Sequence, residues 1–180
     1  MDEIAKKRLE RKLSPEHINA NLQLASMYLV AYELLRSAIV DQVRSFYSKG
    51  FGDGKLLYDE DAYQAEVLSR HKKVFEASCL WLQDHGVFEG PGVAELQRMR
   101  EHRDRLAHEL PSLMVDPEFE VDLSLLVQAQ HHLLLVDRFW GAIAADLNEI
   151  PPDEVDYDGI RSMSSLLLDH IMTIVSGASA

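Results

Sequence analysis

The chain has 180 residues and a formal net charge of -12, from 18 Lys and Arg against 30 Asp and Glu; 47% of its residues are hydrophobic and 8% aromatic. That supplies the apolar material for one domain, lacks the aromatic strands and dense turns of an all-β fold, and argues against general attraction to nucleic acid or anionic lipid. The single cysteine, Cys79, excludes an internal disulfide, so a reducing, cytoplasmic setting is expected. Met1 to Ile4 and the following Lys6-Lys7-Arg8 are not backed by the apolar run of a secretory signal. The longest purely apolar run, Leu133 to Val136, stops at Asp137-Arg138, far short of the roughly 20 residues of a spanning helix. No export and no membrane partner are expected.

Residues 1–13 carry Lys6, Lys7, Arg8, Arg11 and Lys12, a basic arm or short helix that reads first as a solvated face. Ser14-Pro15-Glu16 is a helix start, since Ser caps orphan amides and Pro has no amide to orphan. The helix behind it places Ile18, Leu22, Ala25, Leu29, Tyr32, Ile39, Val43 and Phe46 on one stripe. It ends near Gly50-Phe51-Gly52-Asp53-Gly54, a turn or mobile loop. A second helix is expected from about Asp59 to His85, with Val67, Val74, Phe75, Trp81 and Leu82 inward and Gly86 as its stop. A third runs from near Pro91 to Leu110-Pro111. The fourth, from about Asp122 to Asn148, carries Leu126, Ala129, Leu133, Val136, Trp140, Ile143 and Leu147 inward, and Pro151-Pro152 breaks it. A last helix has Ile160, Met163, Leu167, Ile171 and Ile174 inward. The expected fold is all-α, one domain over 1–180, an antiparallel bundle of four long helices plus a shorter C-terminal helix.

The third helix holds the chemically informative stretch. Its apolar seam runs Leu96, Met99, position 103, Leu106, Leu110, and position 103 is arginine. A guanidinium on a core-facing seam must lose water, at a cost of several kcal/mol unless an acceptor replaces it. Asp104 is rotated about 100° away, and Glu33 on the first helix is a candidate partner. Asp104 lies four residues before His108 and shares its face, so it can orient or charge the imidazole. An imidazole for proton transfer, a carboxylate to set its tautomer and a nearby cation are the parts of a metal-independent ribonuclease. The competing reading takes Arg100 with Asp104 and Glu101 with Arg105 as i,i+4 surface pairs and His108 as a favourable C-terminal charge.

The pattern Arg103-Asp104, three residues, then His108 resembles the HEPN superfamily (higher eukaryotes and prokaryotes nucleotide-binding domain). Family members have an Arg, a small polar residue and a His four to six residues beyond the Arg, near a helix end, in a helical bundle of about this length. The resemblance implies a metal-independent endoribonuclease with Arg103, Asp104 and His108 catalytic. In catalytic members two protomers bring their motifs into one RNA-cleaving groove, which makes a homodimer the expected assembly. Arg98, Arg100 and Arg105 are the expected RNA contacts. By the same resemblance the chain would be a toxin or anti-phage effector, restrained by a protein antitoxin of nucleotidyltransferase type. The alternative function is a non-catalytic helical dimerisation or binding module.

No metal site and no cofactor are expected, because Glu-x-x-His, His-x-x-x-His and His-Glu-x-x-His do not occur and His131-His132 point some 100° apart. Cys79, Trp81 and Trp140 read as core.

Overall fold

In the computed structural model, which describes residues 3–178, helices dominate and one small hairpin interrupts them. The organising element is α2, the 32 residues Pro15–Phe46, started by Ser14, whose Oγ accepts from the His17 amide at 3.3 Å. Its buried face comprises Ala25, Tyr28, Ala31, Tyr32, Leu35, Ala38, Ile39, Val40 and Val43. Of the expected stripe, Ala25, Tyr32, Ile39 and Val43 are inside, whereas Leu22 and Phe46 are exposed. A seven-residue spacing drifts by about 20° per heptad against a straight helix, so the ends of so long a stripe rotate out of the core.

The glycine-rich segment is a β-hairpin, β1 (Ser48–Gly52) and β2 (Lys55–Tyr58), antiparallel and closed by Asp53 and Gly54 at φ of 50° and 73°. An Asp-Gly pair supplies the two left-handed residues that such a two-residue turn needs.

The expected single helix from Asp59 to His85 is divided. It comprises α3 (Glu60–Glu66), a 3-10 turn at Leu68–Arg70 and α4 (Val74–Asp84), with His71 extended between them at φ -158° and ψ 149°. No Gly or Pro marks this break. Tyr63 and Val67 on one side and Phe75, Trp81 and Leu82 on the other all reach the core, while Val74 is exposed. Tertiary packing overrides the local helical preference there. Gly86, at φ 77°, closes α4: its amide donates to Gln83 O and the Val87 amide donates to Leu82 O.

α5 (Gly92–His108) is followed at once by α6 (Leu110–Val115), so Pro111 ends one helix and opens the next. α7 (Leu123–Leu147) begins at Asp122, whose Oδ1 accepts from the Ser124 amide at 3.0 Å. Leu126, Ala129, Leu133 and Val136 are buried as expected; Leu147 is exposed.

α8 (Met163–Ala178) is rotated from its expected phase: Ser165, Leu168, Ile171 and Val175 are buried, while Met163, Leu167 and Ile174 are exposed. Asp137 of α7 causes this. It is 4% exposed and accepts from the Ser162 amide at 2.7 Å and from Ser165 Oγ at 2.5 Å. A buried carboxylate must be satisfied, and that requirement sets the helix phase ahead of the apolar pattern.

The N-terminal arm is a helix, α1 (Glu3–Lys12), and Met1 and Asp2 lie outside the described residues. It is docked and not merely solvated, because the buried Lys12 ammonium donates to the carbonyls of Leu113, Asp116 and Phe119.

α5 is keyed to α2 by Tyr28, whose hydroxyl donates to Met99 O at 3.1 Å while its ring meets His102 edge-on at 4.8 Å. Tyr28→Phe, which keeps the packing, is expected to cost about 1 kcal/mol and to lower Tm by about 2–4 °C in a thermal melt.

Candidate functional site

The Tyr28–Met99 bond fixes the register between two helices, and five residues further along α2 and four further along α5 stand Glu33 and Arg103. Arg103 Nη2 donates to Glu33 Oε1 at 2.7 Å and Nη1 donates to Asp104 Oδ1 at 3.2 Å. The guanidinium carbon lies 5.8 Å from the Tyr32 ring centre. The expected partner Glu33 is therefore in place, and Asp104 joins it although it faces another side of the helix. The Arg103 side chain remains 33% exposed, so it stands at the edge of the seam, although its Nε is buried without a hydrogen-bond partner. The Glu33 hydrogen bond pushes its pKa further up, against the opposing effect of burial, and Asp104 adds to the rise.

His108 is exposed in the last turn of α5 and has no hydrogen-bond or ion-pair partner among the described residues. The expected coupling of Asp104 to His108 is not made, because Asp104 faces Arg103 and lies 3.9 Å from Arg100 Nη1. A five-residue separation sets Arg103 and His108 about 7.5 Å apart along the axis and about 140° apart around it. Within the chain the two side chains leave the helix in different directions.

The other arginines of α5 all have carboxylate neighbours. Arg98, exposed, is 3.9 Å from Glu95. Arg100, only 20% exposed, places Nε 3.1 Å from Oε1 of the buried Glu76 and so joins α5 to α4. Arg105 is 3.7 Å from Glu109 and stands 4.3 Å over the Phe119 ring. Of the competing surface pairs, Arg100 with Asp104 is present, whereas Glu101 accepts from Gln97 and Arg105 turns to Glu109.

Arg103 divides two depressions. One, of about 490 Å³, is polar and lies among α2, α4 and α5, where Glu33, Glu76 and Asp104 face Arg36, Lys73, Arg100 and Arg103. The other, of about 440 Å³, is lined by Leu29, Val30, Leu34 and Ala107. The Arg103–Glu33 ion pair, with side chains 33% and 47% exposed, thus stands between a charged cleft and an apolar groove.

Histidine pairing across helices escaped the sequence reading. His132 of α7 is 3% exposed and its Nε2 donates to Glu95 Oε2 of α5 at 2.9 Å, beside a cavity of about 820 Å³. Gly92 packs against Phe88, where an added Cβ would come within 3.1 Å of the Phe88 Cβ, and only in ordinary contact, at 3.5 Å, with His132 Cε1. The signal was present in the place of His132 between Ala129 and Val136 on the buried face of α7. His102, four residues below Leu106, accepts from the Asp122 amide at 3.0 Å and so braces the start of α7.

Among the described residues no three His, Cys, Asp or Glu side chains gather as metal ligands, and no helix is long and apolar enough to cross a membrane. Cys79 is buried, and burial pushes its thiol pKa well up, which keeps it protonated and unreactive.

Burial lowers the pKa of His132, although Glu95 acts against it, and lowers that of His102, where Asp122 opposes the shift. The unfolded chain then binds more protons than the folded one below the ordinary value of 6.5, so stability present above that pH is lost on acidification through the folded values. The expected slope is at most about 1.4 kcal/mol per pH unit for each histidine. Melts on either side of pH 6.5 should show Tm falling with acid, and falling less in His132→Gln; equal slopes in the two proteins would remove His132 as the cause.

Compared with known proteins the chain stands by itself: no family model, no curated protein and no solved structure matches it, so the meaning of the site rests on its own geometry.

Proposed function

We propose that the chain is a metal-independent endoribonuclease of HEPN type that acts as a homodimer. The observation that carries the reading is Arg103, a cation fixed by Glu33 at the edge of two depressions, with an unpaired His108 one and a half turns further on. Since one protomer turns these side chains apart, a second copy is required to aim an arginine and a histidine at one phosphate.

In the reaction the ribose 2′-hydroxyl attacks the adjoining phosphorus, and the bond to the 5′-oxygen of the next nucleotide breaks. The products carry a 2′,3′-cyclic phosphate and a free 5′-hydroxyl. One His108 takes the 2′-proton and the second protomer's copy returns a proton to the leaving oxygen. Arg103 leaves Glu33 for the phosphoryl oxygens, where negative charge gathers. Asp104 holds Arg103 before the strand binds and turns to orient His108 once Arg103 has moved to the phosphate. The antiparallel HEPN bundle, a cytoplasmic setting, a toxin or anti-phage role and restraint by a nucleotidyltransferase-type antitoxin belong to the same reading.

A second reading, a non-catalytic dimerisation or binding module, is favoured by one observation: Arg98, Arg100, Arg103 and Arg105 each have a carboxylate neighbour. Incubation of the purified protein with RNA in EDTA separates the two. Cleavage should occur, and His108→Ala and Arg103→Ala should each slow it by about 10²–10⁴-fold. Cleavage that survives both substitutions, or that needs a divalent metal, overturns the ribonuclease; a stable dimer without cleavage selects the binding module.

A further inference from the structure

Each arginine of α5 has a carboxylate neighbour, so cations without one would add to the hold on an RNA strand. α1 is where they are concentrated. Glu3–Lys12 contains Lys6, Lys7, Arg8, Arg11 and Lys12 against Glu3 and Glu10, in a chain whose net charge is -12.

These cations are not equivalent. Arg8 is 3.2 Å from Glu118, Lys6 is 3.9 Å from Glu10, and Lys12 is buried. Lys7 and Arg11 are exposed and have no carboxylate partner among the described residues. They are four residues apart, so they share one face of α1 and are separated by about 6 Å along its axis.

Two further observations turn this pair into a platform. The helix is docked through Lys12, whose ammonium is enclosed by the carbonyls of Leu113, Asp116 and Phe119, so the backbone that carries its cations is preorganised. Phe119 also joins α1 to the motif. Its carbonyl accepts from Lys12 while its ring lies 4.3 Å under the guanidinium of Arg105, three residues before His108. The basic helix and the C-terminal turn of α5 thus border the same short segment of chain.

We propose that α1 is a rigid phosphate-binding platform for the RNA strand that runs to the His108 end of α5, with Lys7 and Arg11 as its backbone contacts. The choice of RNA as ligand rests on the ribonuclease reading; the placement of the platform does not. Contacts of this kind are to phosphates and not to bases, so they give affinity without sequence preference. Arg11 also lines the cleft that holds Glu118 and Glu120, and those carboxylates repel a strand that would enter it.

The test is fluorescence anisotropy of a labelled single-stranded oligouridylate, titrated with His108→Ala and with His108→Ala carrying Lys7→Glu and Arg11→Glu. At low salt the charge-reversed protein should bind at least about 10-fold more weakly, and its slope of log affinity against log salt should be smaller by about 1.4, two phosphate contacts on a single strand. Lys7→Gln with Arg11→Gln should fall between the two. Equal affinities and equal slopes overturn the proposal, as does RNA binding too weak to detect at low salt. Binding to phosphatidylserine vesicles that depends on Lys7 and Arg11 while RNA binding does not overturns it in favour of a lipid surface. Wild-type protein that fails to cleave RNA but shows the anisotropy difference loses the ribonuclease reading and keeps the platform; cleavage with no anisotropy difference does the reverse.

Discussion

The hydroxyl of Tyr28 on the carbonyl of Met99 is the contact on which the geometry of the site depends. Apolar stripes alone hold two helices together but tolerate sliding, because a leucine packs against several neighbours almost equally well. A buried hydroxyl does not, since losing its partner leaves a desolvated polar group. Tyr28 therefore fixes α5 along α2, and that register brings Glu33 to Arg103. Burial raises the Tyr28 pKa far above its ordinary value, so the donor is permanent.

The same device recurs elsewhere in the fold. Asp137 sets the phase of α8, Lys12 docks α1, and Glu76 with Arg100 ties α4 to α5. Each places an ionic group where water is scarce, which favours a polar partner, although Glu76 Oε2 and Arg100 Nε are buried without a hydrogen bond. In exchange each removes an alternative arrangement that apolar packing would have allowed. The Arg103–Glu33 pair differs from these in being more open to water, the arginine by one-third and the glutamate by nearly half.

How far the sequence could be read follows from the same distinction. Where periodic apolar residues decided the outcome, as in α2 from Ser14 onward and α7 from Asp122 to Val136, the pattern was enough. Where a buried polar group decided it, the pattern misled: α8 looks turned toward Met163 and Ile174 until Asp137 is placed beneath Ser165. The break at His71 had no local signal, and the hairpin was signalled only by Asp53-Gly54. In the site, the seam position of Arg103 pointed to Glu33 because both lie on long helices whose phase is secure. Asp104 was assigned to His108 from helical spacing alone, which cannot weigh a guanidinium next door against an imidazole four residues on.

The Lys12 anchor has a consequence for synthesis. Its carbonyl partners lie 101, 104 and 107 residues further along the chain. At about 5–20 residues per second, the ribosome needs roughly 5–20 s to extend from Lys12 to Phe119. A ten-residue helix is marginal in water by itself, so through that interval this segment is an unstructured, cationic thread. It is translated well before its partners and assembled late, and its ordered form reports that the polypeptide has been made and folded at least as far as Phe119.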